Sequence, residues 1–155
     1  MGISRIHNPL LYLLLFFFGA TSSYAQVAIS TSQPGLGDME VCVDSATFSF
    51  SVGPFAANLT GVEVRLTFPD GIYYVQNSLN NLPAASVNLV ETSYTGQVLS
   101  LDGSAINSGE SYEFEIQLFA GCDALPDFLS GQSFSNTVEV FENGTLYESF
   151  GSPIY

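Results

Sequence analysis

The feature that most constrains this chain is alternation. Apolar Val62, Val64, Leu66 and Phe68 interleave with Glu63, Arg65 and Thr67, and Tyr112, Phe114, Ile116 and Leu118 interleave with Glu113, Glu115 and Gln117. A period of two sends neighbouring side chains to opposite sides of a strand, so each segment buries one face and wets the other. Phe48-Ser49-Phe50-Ser51-Val52 repeats the pattern until Gly53-Pro54 stops it. Phe68-Pro69-Asp70-Gly71 reads as a turn, because proline presets φ and glycine accepts the positive φ that follows. Ile72 to Val75 then starts another strand. Asn77 to Ser86 is a polar loop, and Val87 to Glu91 and Val98 to Leu101 read as short strands, the second ended by Asp102-Gly103. Asp123 to Gln132 reads as a loop with room for one helical turn at Leu125 to Leu129. Ser135 to Glu142 and Thr145 to Phe150 flank Asn143-Gly144, a pair suited to a two-residue hairpin turn. No stretch keeps a helical period over three turns. The expected fold is all-β, an antiparallel immunoglobulin-like sandwich of about 7–9 short strands.

The beginning of the chain is of another kind. Arg5 and His7 precede an apolar run from Leu10 to Phe18, and small residues follow at Ser23 and Ala25. That order describes a secretory signal peptide cut before Gln26, and the run is too short for a membrane-spanning stop-transfer helix. The expected organisation is a signal peptide at 1–25, a leader strand and turn at 26–39, and a sandwich at 40–151. Residues 152–155 (Ser152-Pro153-Ile154-Tyr155) read as the start of a linker to a following domain. Cys42 and Cys122 form an even pair in an exported chain, so a structural disulfide is expected between them, closing most of the domain.

Charge narrows the chemistry. Fifteen acidic residues face two basic ones, a formal net charge of −13, and lysine is absent. Removing residues 1–25 discards Arg5 and His7, which leaves 1 − 15 = −14 with Arg65 as the sole cation. Such a chain repels phosphate backbones, so nucleic acid is excluded as a partner. Without histidine or lysine there is no imidazole ligand or Schiff-base amine, and no such base to activate the many serines.

Two stretches carry a resemblance. Leu59-Thr60-Gly61-Val62-Glu63-Val64-Arg65-Leu66-Thr67-Phe68-Pro69-Asp70-Gly71-Ile72-Tyr73-Tyr74-Val75 is one, and Asn107-Ser108-Gly109-Glu110-Ser111-Tyr112-Glu113-Phe114-Glu115-Ile116 is the other. Together they resemble the bacterial conserved-repeat domain, the domain of unknown function number eleven. In that family a strand ending in a Leu/Phe-Pro-x-Gly turn is followed by a later Gly-Glu-Ser-hydrophobic strand. The resemblance covers roughly residues 40–120 and is nearest to the first repeat of large adhesin-like surface proteins of Bacteroidetes. It implies a sandwich that acts as a spacer, binding or adhesion module, with neighbouring repeat domains as partners and no catalytic residues.

Glu113 and Glu115 lie roughly 6.5–7 Å apart on one strand face; a glycosidase acid and base would use such a pair across a cleft, but a solvated strand face explains it better. Asp123 and Asp127 flank a loop and suggest at most a weak calcium site; no other cofactor is expected. Asn58-Leu59-Thr60 and Asn143-Gly144-Thr145 match the N-glycosylation pattern, although Asn143 is better explained by its turn. Asp44-Ser45-Ala46 resembles the O-glycosylation acceptor of Bacteroidetes, which marks Ser45. Of Tyr73 and Tyr74 one belongs in the core and the other outside, where it could stack on a glycan together with Tyr94 or Tyr147. The reading is therefore a non-enzymatic module, secreted or displayed on the cell surface, whose partners are neighbouring repeats and a host or environmental glycan or protein. The alternative is a carbohydrate-binding or calcium-dependent lectin-like module. A small outer-membrane barrel fits poorly, because these strands are short and uneven, and no membrane insertion of the mature chain is expected.

Overall fold

The computed structural model describes residues 28–32, 42–124 and 134–154, and these form two antiparallel sheets around one core. In chain order the strands are β1 (Ala28–Ser32), β2 (Ser45–Gly53), β3 (Leu59–Thr67), β4 (Ile72–Tyr74), β5 (Asn80–Asn81), β6 (Val90–Thr95), β7 (Val98–Ile106), β8 (Tyr112–Ala120), β9 (Phe134–Glu142) and β10 (Thr145–Ile154), with a short 3-10 turn at Cys122–Ala124. The first sheet runs β1-β2-β8-β4, with β5 also paired to β8, and the second runs β10-β9-β3-β7-β6. The expected sandwich is the observed fold, built as two separate ladders rather than one closed barrel. The expected signal peptide at 1–25 and the expected helical turn at 125–129 fall outside the described residues. Among the described residues no helix is long and apolar enough to cross a membrane.

Alternation places the core. On β8 the side chains of Tyr112, Phe114, Ile116 and Leu118 are fully buried, while Glu113, Glu115 and Gln117 stand on the other face. Phe48, Phe50 and Val52 of β2 join them from the next strand. Phe50 and Phe114 are register partners, and their rings stack at 5.3 Å. Val62, Val64 and Leu66 of β3, Leu99 and Leu101 of β7, and Val138 and Val140 of β9 supply the facing wall. Each such side chain contributes about 1.5–3 kcal/mol by leaving water, and truncating Phe114 to alanine would cost about 3–5 kcal/mol.

Two buried tyrosines tie the sheets together through their polar tips. Tyr112 of β8 donates its hydroxyl proton to the Gly103 carbonyl of β7 at 3.1 Å. Toward the other end of β8, Tyr74 of β4 donates to the Glu91 carboxylate of β6 at 2.6 Å. Burial disfavours both phenolates, and Glu91 adds to the effect on Tyr74, whose pKa is pushed up to about 12; the Tyr112 phenol is also pushed up, mainly by burial.

Cys42 and Cys122 are bonded, with their Cα atoms 4.8 Å apart. The bridge links the turn before β2 to the 3-10 turn after β8. Those strands already pair, Ser45 opposite Phe119, and the Cys42 N–H donates to the Ala120 carbonyl at 2.9 Å. The covalent link thus extends one ladder instead of crossing between sheets.

Several boundaries differ from the sequence-based expectation. β7 does not end at Asp102-Gly103 but continues to Ile106, because a bulge absorbs the irregularity. The Asp102 carboxylate accepts the Ser104 N–H at 2.8 Å, and Ser104 takes φ 57°. The strand expected at Val87–Glu91 lies instead at Val90–Thr95, joined to β7 by a tight turn in which Gly96 (φ 56°) and Gln97 (φ 70°) both adopt the left-handed conformation. Asn80 and Asn81, expected in a loop, pair briefly with β8. The leader strand is β1, which pairs with β2 and so belongs to the sandwich. Residues 152–154, expected as a linker, continue β10, with Ser152 opposite Asn136 and Ile154 opposite Phe134. The Asn143-Gly144 hairpin is present as read, with φ of 49° and 78°.

Two measurements check this arrangement. Replacing both cysteines by serine should lower unfolding free energy in urea by about 2–4 kcal/mol, below the chain-entropy ceiling of roughly 4–5 kcal/mol for so long a loop, while the β-sheet circular dichroism persists. Raising the pH should destabilise the fold, since phenols with raised folded pKa values stabilise it fully below their unfolded value near 10 and lose that contribution as the pH climbs through about 12. Urea midpoints should therefore fall across that window, and Tyr74→Phe should flatten the fall.

Candidate functional site

The outward face of the first sheet is the most organised polar surface of the molecule. It is built from the positions that alternation leaves outside β2 and β8, with β4 and β5 at the edge. Ser51 donates to the Glu113 carboxylate at 2.6 Å, and Ser49 donates to Glu115 at 3.0 Å. The Asn80 amide reaches the second oxygen of Glu115 at 3.3 Å. Glu113 and Glu115 do share a face, as expected, but serines one strand away already occupy them on a flat surface rather than across a cleft. That is the geometry of a solvated sheet face.

Two aromatic side chains interrupt this polar carpet. Tyr73 of β4 sits opposite Phe119 of β8, and Phe119 sits opposite Ser45 of β2, so the three form one row across the sheet. The Tyr73 hydroxyl donates to the Asp123 carboxylate, which holds the phenol above its ordinary pKa. Asp123 rides on the 3-10 turn that the disulfide anchors through Cys122. A Cβ on Gly121 would come within 2.7 Å of the Tyr73 ring, so only glycine lets that ring lie against the turn.

The opposite face of the sandwich is organised by Arg65. Its Nε donates to Glu63 Oε1 at 2.7 Å and a terminal nitrogen to Oε2 at 2.8 Å, a bidentate pair. The guanidinium lies 4.1 Å above the Phe141 ring. Arg65 holds the Glu63 carboxyl below its usual range, and Glu63 raises the guanidinium in turn. With side chains 37% and 30% exposed, the pair is half in water and worth little to stability. Its importance is positional, because Arg65, the one lysine or arginine after residue 25, is committed to Glu63 and Phe141.

At the open flank between the sheets, Asn81 closes a side-chain bridge with Leu89, donating to its carbonyl at 2.9 Å and accepting its N–H at 2.8 Å. Leu79, Leu89, Val90 and Glu91 line a shallow depression there, and Gly61, Glu63, Thr92 and Asp102 line another on the second sheet. Both are open to solvent.

Ser45 is exposed as the first residue of β2, a position accessible to a modifying enzyme. Asp123 serves Tyr73, while Asp127 lies outside the described residues; among the described residues no three acidic, histidine or cysteine side chains gather to hold a metal. Asn58 is exposed, its amide oxygen accepting the Ser108 N–H at 2.8 Å, and Asn143 occupies its turn. Tyr74 is the core member of its pair and Tyr73 the outward one. Tyr94 and Tyr147, named as partners for such stacking, are partly buried and pack against the core, Tyr94 edge-on to Tyr74 at 5.4 Å. Phe119 was missed, although the alternation that places Glu113, Glu115 and Gln117 outside, continued by one step, also places Phe119 there.

No family model matches the chain, and no curated protein matches it in sequence. Among solved structures it is similar to ChBD2 from Thermococcus kodakarensis, with a TM-score of 0.45 at 11% identity, covering 81% of this chain and 96% of that one. The collagen binding subdomain ACE19 of the Enterococcus faecalis surface protein ACE aligns with a TM-score of 0.41 at 11% identity, over 70% of this chain and 83% of that one. A DUF4466 family protein from Parabacteroides merdae gives 0.48 at 10% identity over 83% of this chain; the match spans 43% of that protein's length. These are likenesses of overall fold.

The Tyr73–Asp123 contact can be read directly. Asp123→Asn should lower the Tyr73 phenol pKa toward its ordinary value, because the carboxylate that accepts the hydroxyl proton and opposes a phenolate is gone. Titration of the Tyr73 ring carbon by NMR checks this, and an unchanged pKa would contradict the contact.

Proposed function

We propose that the mature chain is a non-enzymatic module, secreted or held at the cell surface, that acts by binding and spacing. One observation carries this reading: the sandwich presents two sheet faces on which Glu63, Glu113 and Glu115 and the cation Arg65 are already bonded to neighbouring side chains. Such faces supply contact surface, while an acid–base pair needs a proton donor and acceptor poised around a bond. The residue inventory supports it, since a chain without lysine, and without histidine once residues 1–25 are removed, has few ways to make a nucleophile. Export is supported by the apolar leader and by the disulfide, a bond at home in oxidising compartments. The resemblance to conserved-repeat domains extends the proposal: neighbouring repeats of a longer surface protein are partners on the same chain, and a glycan or protein is the external one.

A second reading, carbohydrate recognition, is favoured by the outward pair of Tyr73 and Phe119. Calcium dependence gains no such support: among the described residues no three acidic side chains gather, and Asp127 lies outside them.

Expression with the native leader in a bacterial host that displays surface proteins tests the main proposal. The protein should appear in the surface or secreted fraction, begin at Gln26, and hydrolyse no glycoside, ester or peptide substrate. Retention in the cytoplasm, or turnover abolished by Glu115→Gln, would overturn it.

A further inference from the structure

We propose that Tyr73 and Phe119 form the stacking platform of a binding site for an uncharged polysaccharide chain, laid across the outward face of the first sheet. This rests on the reading of the domain as a binding module and names its ligand class.

The assignment begins by elimination among the aromatic side chains. Most of those described are buried in the core, and Tyr94, Tyr147 and Phe150 pack against it. Among the described side chains, three partly buried rings that do not pack on the core remain, Tyr73, Phe119 and Phe141. Phe141 lies beneath the Arg65 guanidinium. Among the described residues Tyr73 and Phe119 carry no such cover, and they are direct cross-strand partners, which places their Cβ atoms about 4.5–5.5 Å apart. Two aromatic side chains at neighbouring outward positions put apolar surface on a face otherwise made of hydroxyls, amides and carboxylates.

The chemistry around these side chains selects the ligand. The electron-rich faces of the rings attract the C–H groups of a pyranose. Around them Ser45, Gln117 and Asp123 offer acceptors and donors for sugar hydroxyls, and a carboxylate acceptor makes the stronger hydrogen bond. No cation is available to neutralise an acidic sugar, since Arg65 belongs to the other sheet. A mature net charge of −14 repels uronate and sulfate polymers besides. An uncharged chain fits both conditions.

Shape narrows it further. A pocket encloses the end of a sugar chain, whereas a pleated sheet face accommodates an extended one. The platform is also prepared before binding: the Asp123 carboxylate fixes the Tyr73 hydroxyl, Gly121 backs the ring, and the Cys42–Cys122 bridge anchors the turn that carries both. A ring already held in place gives up less freedom on binding, which leaves more of the stacking energy as affinity.

Depletion assays with the mature protein on insoluble cellulose, chitin and mannan, with polygalacturonate as the acidic control, test the proposal. Binding to at least one neutral polymer is expected, with none to polygalacturonate. Tyr73→Ala and Phe119→Ala should each weaken it about tenfold or more, as loss of an aromatic anchor does. Tyr73→Phe, which keeps the ring, should lose much less, and Phe141→Ala should leave binding unchanged. Circular dichroism and urea midpoints confirm that each variant folds. Three results overturn the proposal: no neutral polymer is bound, binding survives the folded Tyr73→Ala/Phe119→Ala double variant, or these residues instead mediate self-association seen by sedimentation. In each case the absence of enzymatic turnover and the surface location stand as separate tests of the module itself.

Discussion

Everything in this fold depends on the register of β8 against β2. β8 is the strand to which β2, β4 and β5 all pair, and its inward row of Tyr112, Phe114, Ile116 and Leu118 meets the inward rows of β3, β7 and β9. A slip of one residue would turn that row to water and bring Glu113, Glu115 and Gln117 into the core. The penalty for burying two carboxylates excludes that alternative. Register also decides what sits next to what on the outside. Ser49 and Ser51 meet their glutamates, and Ser45 meets Phe119, because Phe50 meets Phe114 on the other side of the same two strands, while the β4–β8 ladder sets Tyr73 opposite Phe119. The disulfide reinforces this same pairing at its end.

The parts of the fold legible in the sequence were those with clean alternation or obligate turn chemistry. β3, β8 and the Asn143-Gly144 hairpin read directly because burial of one face, or a positive φ at two successive residues, leaves few alternatives. What was hidden depended on partners far away in the chain. Asp102-Gly103 has the composition of a turn, yet cross-strand pairing to Thr60 through Glu63 carries β7 past it as a bulge. The turn at Gly96-Gln97 was less visible than its twin, since glutamine seldom adopts positive φ and only Gly96 signalled it. Ser152 and Pro153 look like linker residues, but as an edge strand β10 tolerates a proline whose missing N–H need face no partner. The site shows the same division. Alternation placed Glu113, Glu115 and one of the two tyrosines outside, whereas the neighbour that gives Tyr73 its meaning, Phe119, comes from register. Tyr94 and Tyr147 were indistinguishable from surface tyrosines by sequence, because their burial comes from packing between elements.

The residue inventory and the geometry point the same way from independent directions. After residue 25 the sequence holds no histidine and one arginine, and the structure commits that arginine to Glu63 and Phe141 on the second sheet. The two faces of the sandwich therefore differ in kind. One has its aromatic ring capped by a cation and its strand centre closed by an ion pair; the other leaves two rings uncovered beside a row of bonded hydroxyls and carboxylates. Surface chemistry of the second type suits neutral, hydroxyl-rich ligands, and the rigidity supplied by the disulfide and by Asp123 keeps it in one shape.

The most direct measurement is amide chemical-shift mapping of the isotope-labelled mature protein titrated with soluble neutral oligosaccharides. Perturbations should cluster on β4, on the end of β8 around Phe119, on the start of β2 and on the turn from Gly121 to Ala124, leaving β3, β9 and β10 undisturbed. Shifts centred on the Arg65 face, or a spectrum unchanged by every neutral oligosaccharide, would contradict the assignment of recognition to the first sheet.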